Sequence, residues 1–323
     1  MRGVVIGKFY PPHLGHNYLI DTALKNCDDV DVLVVDNPAH KLSSDKRAEW
    51  LRARHPNARV QIIPDINDDD DSPAWGLHTM RFLGYRPDVV YSSEAYGKPW
   101  AAAMGCKYVN VDIARHTVPI SGTVVRKDFI KSWQFLSDET KAGLALRIVV
   151  VGAESTGTTT LSRDVATALN VPWVPEIGRN YTESILTTDY EWFDADFYRI
   201  GRLQQAYENE MATRSDGVIV CDTNAVATEL WQRRYMGRTT SEMRRIAAKD
   251  KADLYIITGD EIPFVQDGIR DGEHLRHRMH RWFLAHIKKT GVPYIVATGN
   301  RSERLAAALT AAKQTIRAGR RIQ

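Results

Sequence analysis

The sequence predicts an α/β protein of two domains, each built on a parallel sheet. Short apolar runs alternate with segments of helical period from one end of the chain to the other. The chain has 323 residues, more than one ordinary domain of roughly 100–200 residues needs. A glycine-bearing turn follows the first apolar run of each half, at residues 7–16 and again at 152–160.

In the first half the strand runs are Val4–Ile6, Val30–Val35, Arg59–Pro64, Asp88–Ser93 and Lys107–Val111, each bounded by turn residues. A turn-rich piece after Asp112 leads to the helical segment Thr123–Lys131 and an amphipathic stretch through Ala145. A second series follows: Arg147–Gly152, Val171–Glu176, Gly217–Thr223, Leu254–Gly259 and Pro293–Gly299. Helical patterns such as Thr160–Leu169, Tyr190–Arg214 and Glu273–Thr290 separate these runs. The boundary therefore falls near residue 145, giving domains 1–145 and 146–323 with no flexible linker between them.

Composition narrows the class. A 43% hydrophobic content can fill two cores, and no apolar run approaches the roughly 20 residues of a membrane span. Gly3–Gly7 is too short for a signal-peptide core, so a cytoplasmic protein with no membrane partner is expected. Cys27, Cys106 and Cys221 show no metal-ligand or disulfide spacing and read as buried small hydrophobes. With 43 basic against 40 acidic residues the net charge is +3, which leaves no electrostatic footprint for DNA. The basic tail Arg317–Arg321 reads as a solvated helix end and Asp68–Asp71 as a solvated loop.

The first turn, Gly7-Lys8-Phe9-Tyr10-Pro11-Pro12-His13-Leu14-Gly15-His16, runs into a helix. His13 and His16, three apart at a helix start, project toward one region. Gly15 permits close approach of a phosphate to the backbone, and helix amides favour negative charge. Far downstream, Ile120-Ser121-Gly122-Thr123-Val124-Val125-Arg126 places cap-forming hydroxyls, Ser121 and Thr123, one turn before an arginine. Asp36 and Asn37 end the second strand run, at the sheet edge where such folds place ligand groups. Trp75, in an otherwise polar stretch, is either a stacking platform for a flat cation or a core residue.

The second turn, Gly152-Ala153-Glu154-Ser155-Thr156-Gly157-Thr158-Thr159-Thr160, matches the phosphate-loop pattern G-x-x-x-x-G-K-[ST] except that Thr158 replaces the lysine. Its amides can cradle phosphates and Thr159 can reach magnesium. The missing ammonium leaves two readings open: another cation substitutes, or the domain binds nucleotide with slow or no phosphoryl transfer. Arg163, Arg179, Arg233, Arg234 and Arg238 are the candidate substitutes. Glu176 ends a strand run where a general base could stand. Asp222 ends an apolar strand run, as a magnesium-binding aspartate does.

Paired, the His-x-Gly-His and Ile-Ser-x-Thr-x-x-Arg elements resemble the nucleotidyltransferase superfamily built on a Rossmann-like parallel sheet. The stretches Ser92–Gly97 and Arg115–Gly122 ("RHTVPISG") resemble more narrowly the bifunctional NadR-type nicotinamide-nucleotide adenylyltransferases. The run Phe264–Arg270 ("FVQDGIR") resembles the ribosylnicotinamide-kinase half of that family, a P-loop kinase on a second parallel sheet. The resemblance covers nearly the whole chain. It implies adenylyl transfer from ATP to nicotinamide mononucleotide, with Mg2+, giving NAD and pyrophosphate, and phosphorylation of nicotinamide riboside by the second domain.

On that resemblance His13 and His16 hold ATP phosphates, Arg126 grips the leaving portion, and Gly7, Lys8, Phe9, Gly15, Ser121 and Thr123 complete the ATP site. Residues 152 and 154–160 form the second ATP site, with Thr159 and Asp222 on the metal and Glu176 as base. Asp36, Trp75, Arg179, Asp267 and Arg270 are the expected substrate contacts. Longer members carry an N-terminal helix-turn-helix, and this chain starts close to its first strand, so DNA binding is not expected. Two other readings stay open: a P-loop domain that senses nucleotide without chemistry, and a different phosphorylated acceptor. A homo-oligomer is compatible with the sequence.

Overall fold

The computed structural model describes residues 1–185, 190–265 and 272–322. The chain forms two compact units, Met1–Lys141 together with the residues from Arg320 onward, and Ala142–Gly319. Among the described residues no helix is long and apolar enough to cross a membrane.

The first unit holds strands β1 (Arg2–Gly7), β2 (Asp29–Asp36), β3 (Arg59–Pro64), β4 (Val89–Ser92) and β5 (Lys107–Asn110). They pair in parallel in the order β3-β2-β1-β4-β5. Helices α1 (Leu14–Asn26), α2 (Ser44–Arg54), α3 (Ser72–Leu83), α4 (Gly97–Met104) and α5 (Gly122–Lys127) connect or follow them. Side chains alternate across the pleat, so Val5, Val32 and Val34 bury against Leu19, Ile20 and Ala23 of α1 and Ala48 and Leu51 of α2. Val4, Ile6, Leu33 and Val35 bury against Trp75 of α3 and Trp100, Ala101 and Met104 of α4. Both faces are covered, which is why the strands read as unbroken apolar runs. Chain direction across the sheet reverses between β1 and β4, and that crevice is where such sheets bind ligands.

Helix α6 (Asp138–Leu144) leads into the second unit. Its strands are β6 (Leu146–Val151), β7 (Trp173–Val174), β8 (Val218–Asp222), β9 (Leu254–Thr258) and β10 (Tyr294–Ala297), parallel in the order β10-β9-β6-β8-β7. The helices are α7 (Thr158–Leu169), α8 (Ile177–Ile185), α9 (Asp194–Thr213), α10 (Ala225–Met236), α11 (Ser241–Ala247), α12 (Arg276–Thr290) and α13 (Arg301–Gly319). Strand β6 is central and buried along its whole length.

Several sequence expectations are corrected. The run Val171–Glu176 shortens to the two residues of β7, because Pro172 and Pro175 flank it and neither has an N–H to pair. Helix α9 starts at Asp194 rather than Tyr190, where Asp196 turns back to accept from Phe193 N at 2.9 Å. The segment Thr123–Lys131 stops being helical after Lys127, and α7 begins at Thr158, two residues early. The basic tail is not simply solvated: Arg320 pairs with Asp128 at 2.6 Å and its carbonyl accepts from Phe129 N at 3.0 Å. Only Cys221 is fully buried, while Cys27 and Cys106 are half-buried.

Candidate active sites

In the first unit a cavity of about 580 Å³ opens at the β1/β4 crevice, walled by the β1–α1 loop, the segment after β4, Arg115 and the start of α5. His13 is the N-cap of α1, its Nδ1 accepting from His16 N at 3.3 Å. That bond needs a lone pair on Nδ1, so the neutral ring carries its proton on Nε2. The two imidazoles stack with centroids 3.6 Å apart, and Phe9 meets the His16 ring edge-on at 5.0 Å. Burial, reinforced by the nearby Arg115 charge, lowers the His13 pKa to about 3. Burial and the neighbouring His13 push His16 well below its ordinary value. Both rings are therefore neutral hydrogen-bonding groups at physiological pH. His16 lines the cavity, and its buried Nδ1 has no hydrogen-bond partner among the described residues.

Gly15 has a role the sequence did not show. A Cβ there would lie 3.1 Å from the His13 ring, so the glycine makes room for the imidazole itself. Arg126, 113 residues after His13, donates Nη1 to Tyr10 O at 2.7 Å and Nη2 to Thr123 Oγ1 at 3.0 Å, over the Tyr10 ring. The two distant motifs thus share one wall. Ser121 is the cap of α5, accepting from Val124 N at 3.4 Å, whereas Thr123 sits inside the helix and binds Arg126 instead of capping.

Gly7, Lys8 and Phe9 line the cavity, and Lys8 pairs with Asp69 at 2.6 Å. The aspartate run is therefore not merely solvated. Asp71 caps α3 through Ala74 N at 2.8 Å, and Asp68 accepts from the amides of Asp70 and Asp71. Trp75 lies on α3, not in a polar loop. Its indole donates to Asp68 O at 2.8 Å and it is at once a core residue and part of the cavity wall. Asp36 is not brought to the cavity wall; it accepts from Ser44 Oγ at 2.6 Å at the start of α2.

Sequence reasoning missed Arg47. It is fully buried on α2 and donates to the carbonyls of Leu42, Ser43 and Val35 at 3.0, 3.2 and 3.2 Å, and to that of Lys8. Burial lowers its pKa. In the sequence it is one of four arginines and lysines between positions 46 and 54, and nothing in the spacing separates it from the solvated ones.

In the second unit a cavity of about 140 Å³ adjoins the loop after β6. Register places Val150 beside Asp222, so the loop starts next to the end of β8. Ser155 and Gly157 take left-handed φ values of 56° and 83°, which turn the chain into α7. A Cβ on Gly152 would fall 2.6 Å from Thr156 Oγ1, and closer still to the Thr258 hydroxyl. The Thr156 hydroxyl is held between Ala153 O and Thr258 Oγ1, each at 2.6 Å. Thr159 donates to Asp222 Oδ2 at 2.6 Å, while the other Asp222 oxygen is buried with no partner among the described residues. Burial raises the Asp222 pKa to about 6. Glu154 is tied to Arg234 at 2.8 Å and to Gly272 N at 2.8 Å.

Glu176, Arg179, Ser155, Thr158 and Thr159 all line this cavity, whereas Thr160 does not. Asp267 and Arg270 lie outside the described residues. Part of the cavity wall is aromatic, another feature absent from the sequence reading. Trp192 and Tyr235 stack at 5.2 Å, and Trp231 lies beside Tyr235 at 6.3 Å. Those rings come from α10 and from the segment before α9, and the helical spacing of Trp231 and Tyr235 was the available signal.

Comparison with known proteins places these sites in context. Residues 147–304 match a family described as an AAA domain, and residues 3–60 match one described as the citrate lyase ligase C-terminal domain. The chain is 28% identical over 293 residues to the trifunctional NAD biosynthesis/regulator protein NadR of Escherichia coli K12, covering 83% of this chain and 71% of that protein. The NadR protein of Salmonella typhimurium LT2 is equally similar, at 28% over the same shares. Among solved structures, a NadR protein in complex with NR superposes with a TM-score of 0.72 at 22% identity, over 100% of this chain and 97% of that one. One in complex with NAD and AMP-PNP gives 0.68 at 21% identity, over 98% and 96%.

Proposed function

We propose that this chain, a homologue of the NadR proteins, makes NAD by two reactions at separate sites: the second unit phosphorylates nicotinamide riboside, and the first joins the resulting mononucleotide to AMP. The observation that carries the reading is the Arg126 to Tyr10 bond at 2.7 Å, which sets the guanidinium beside the histidine loop in one cavity.

In the first site a phosphate oxygen of nicotinamide mononucleotide attacks the α-phosphorus of ATP. A new P–O bond forms, the bridge to the β-phosphorus breaks, and pyrophosphate leaves with the electron pair. No covalent enzyme intermediate is involved. The work is positioning and stabilisation of charge on the oxygens. The neutral ring of His16, held by the stacked His13, donates an N–H group to a phosphate oxygen, and Arg126 supplies the fixed positive charge on the leaving portion. Ser121 presents the start of α5, Thr123 steadies Arg126, and Arg47 holds the Lys8 carbonyl and so the shape of the loop. Trp75 walls the side where the nicotinamide ring lies.

In the second site the aromatic wall of Trp192, Trp231 and Tyr235 suits a flat pyridinium cation, whose attraction to ring faces is electrostatic. Glu176 takes the proton of the ribose hydroxyl as that oxygen attacks the γ-phosphorus, and ADP leaves. The buried oxygen of Asp222 that has no partner among the described residues, with the Thr159 hydroxyl bonded to the other, fits a magnesium ion, which these two side chains would hold. When bound it would supply positive charge that offsets the charge of the nucleotide phosphates.

The test is product identification by mass. The chain incubated with MgATP and nicotinamide mononucleotide should yield NAD and pyrophosphate, and His16→Ala should abolish both. Equal NAD formation by the wild type and the variant would refute the first site.

A further inference from the structure

We propose that Arg179 supplies the positive charge that the phosphate loop lacks at Thr158, placing a guanidinium on the terminal phosphates of the second-site nucleotide. This rests on the reading of the second unit as a nucleotide-dependent kinase. Thr158 itself carries no charge, and its methyl lies 3.2 Å from where a Cβ on Gly152 would stand. A charge must therefore come from another element.

The structure separates the candidate arginines. Arg163 lies over the Trp173 ring at 4.4 Å, Arg233 over Trp282 at 4.3 Å, and Arg238 pairs with Asp194 at 2.6 Å; none of them lines the cavity. Arg234 is 3% exposed and bonded to Glu154, so moving it would leave a largely buried carboxylate without its partner. Arg304 bonds to Thr156 O at 2.7 Å from beneath the loop, and its remaining donors go to Gly259 O, Gly299 O and Glu261.

Arg179 alone of these shares the cavity wall with Glu154, Ser155, Thr158, Thr159 and Glu176. It stands in the first turn of α8, three residues after Glu176. Its ion pair with Glu183 at 3.1 Å joins two side chains that are 41% and 48% exposed. For a planar guanidinium a polyphosphate is a stronger partner than one solvated carboxylate.

The test uses the full chain carrying His16→Ala and Arg126→Ala, so that nucleotide affinity reports the second site. Calorimetry with magnesium then compares AMP-PNP, ADP and AMP. Adding Arg179→Gln should weaken AMP-PNP at least tenfold and AMP less than twofold, and adding Thr158→Lys to that variant should restore the AMP-PNP affinity. Glu183→Gln should leave AMP-PNP binding unchanged or tighter. Equal AMP-PNP affinity with and without Arg179, an equal loss for AMP, or no rescue by Thr158→Lys would each overturn the proposal. Absence of ADP release with nicotinamide riboside would instead sink the kinase reading, and the binding comparison would stand apart from it.

Discussion

The two anion loops of this chain solve one problem with different materials. The loop after β1 is built from side chains: stacked imidazoles stripped of charge by burial, and a guanidinium brought from far along the sequence to the Tyr10 carbonyl. The loop after β6 is built from backbone: left-handed turns at Ser155 and Gly157, a glycine with no room for a methyl, and hydroxyls locked to one another. The first carries a positive charge within the constellation, at Arg126, while the second has threonine at position 158 where the loop pattern has lysine. A loop made of amides keeps its geometry when one side chain is exchanged, which is how Thr158 can occupy the lysine position without disturbing the fold.

That contrast can be broken in several places. Arg126→Ala removes both a charge and the tie to Tyr10, so NAD formation should fall by about 10²–10³-fold, the usual range for losing one preorganised donor. Riboside phosphorylation measured on the same variant should stay within about twofold if the sites are independent. Gly152→Ala drives a methyl into the Thr156 and Thr258 hydroxyls, and should cost the second unit about 2–3 kcal/mol by urea unfolding. Gly15→Ala crowds the His13 ring at 3.1 Å and makes ordinary contact with Ile120 at 3.7 Å, so it should lower NAD formation with less loss of stability.

Acid should act on the first loop. Folding depresses the His13 pKa to about 3, so the unfolded chain binds more protons and stability falls as pH drops below 6.5. At pH 5 this one imidazole accounts for about 2 kcal/mol. Urea titrations at pH 7 and pH 5 should show a difference smaller by that amount in His13→Asn, whose amide oxygen still caps α1. A His13 ring that titrates near 6.5 by NMR would contradict the buried neutral pair. The smallest effect belongs to Ser121→Ala, which removes one cap of α5 and should cost about 1 kcal/mol.

Much of this was legible in the residues. Strand runs such as Arg59–Pro64 are unbroken because both sheet faces are covered, and the glycine turns stand where the strands end. The alternation predicted both parallel sheets. The sequence could not show what depends on long-range placement. Arg47 is indistinguishable from its solvated neighbours until α2 is set against β2. Asp36 ends a strand at the expected edge, yet its side chain is taken up by Ser44. The aromatic wall joins rings more than 35 residues apart, and Trp75 looked polar in context only because the aspartates before it fold back to cap its helix.

The central claim is that two separate constellations carry two consecutive reactions. It is tested most directly by supplying MgATP and nicotinamide riboside to the wild type, His16→Ala and Asp222→Asn, and following products by mass over time. The account predicts NAD from the wild type, accumulation of the mononucleotide with His16→Ala, and untouched riboside with Asp222→Asn, which still converts added mononucleotide to NAD. If either variant lost both reactions, or both variants made NAD from the riboside at the wild-type rate, the division of labour would be wrong.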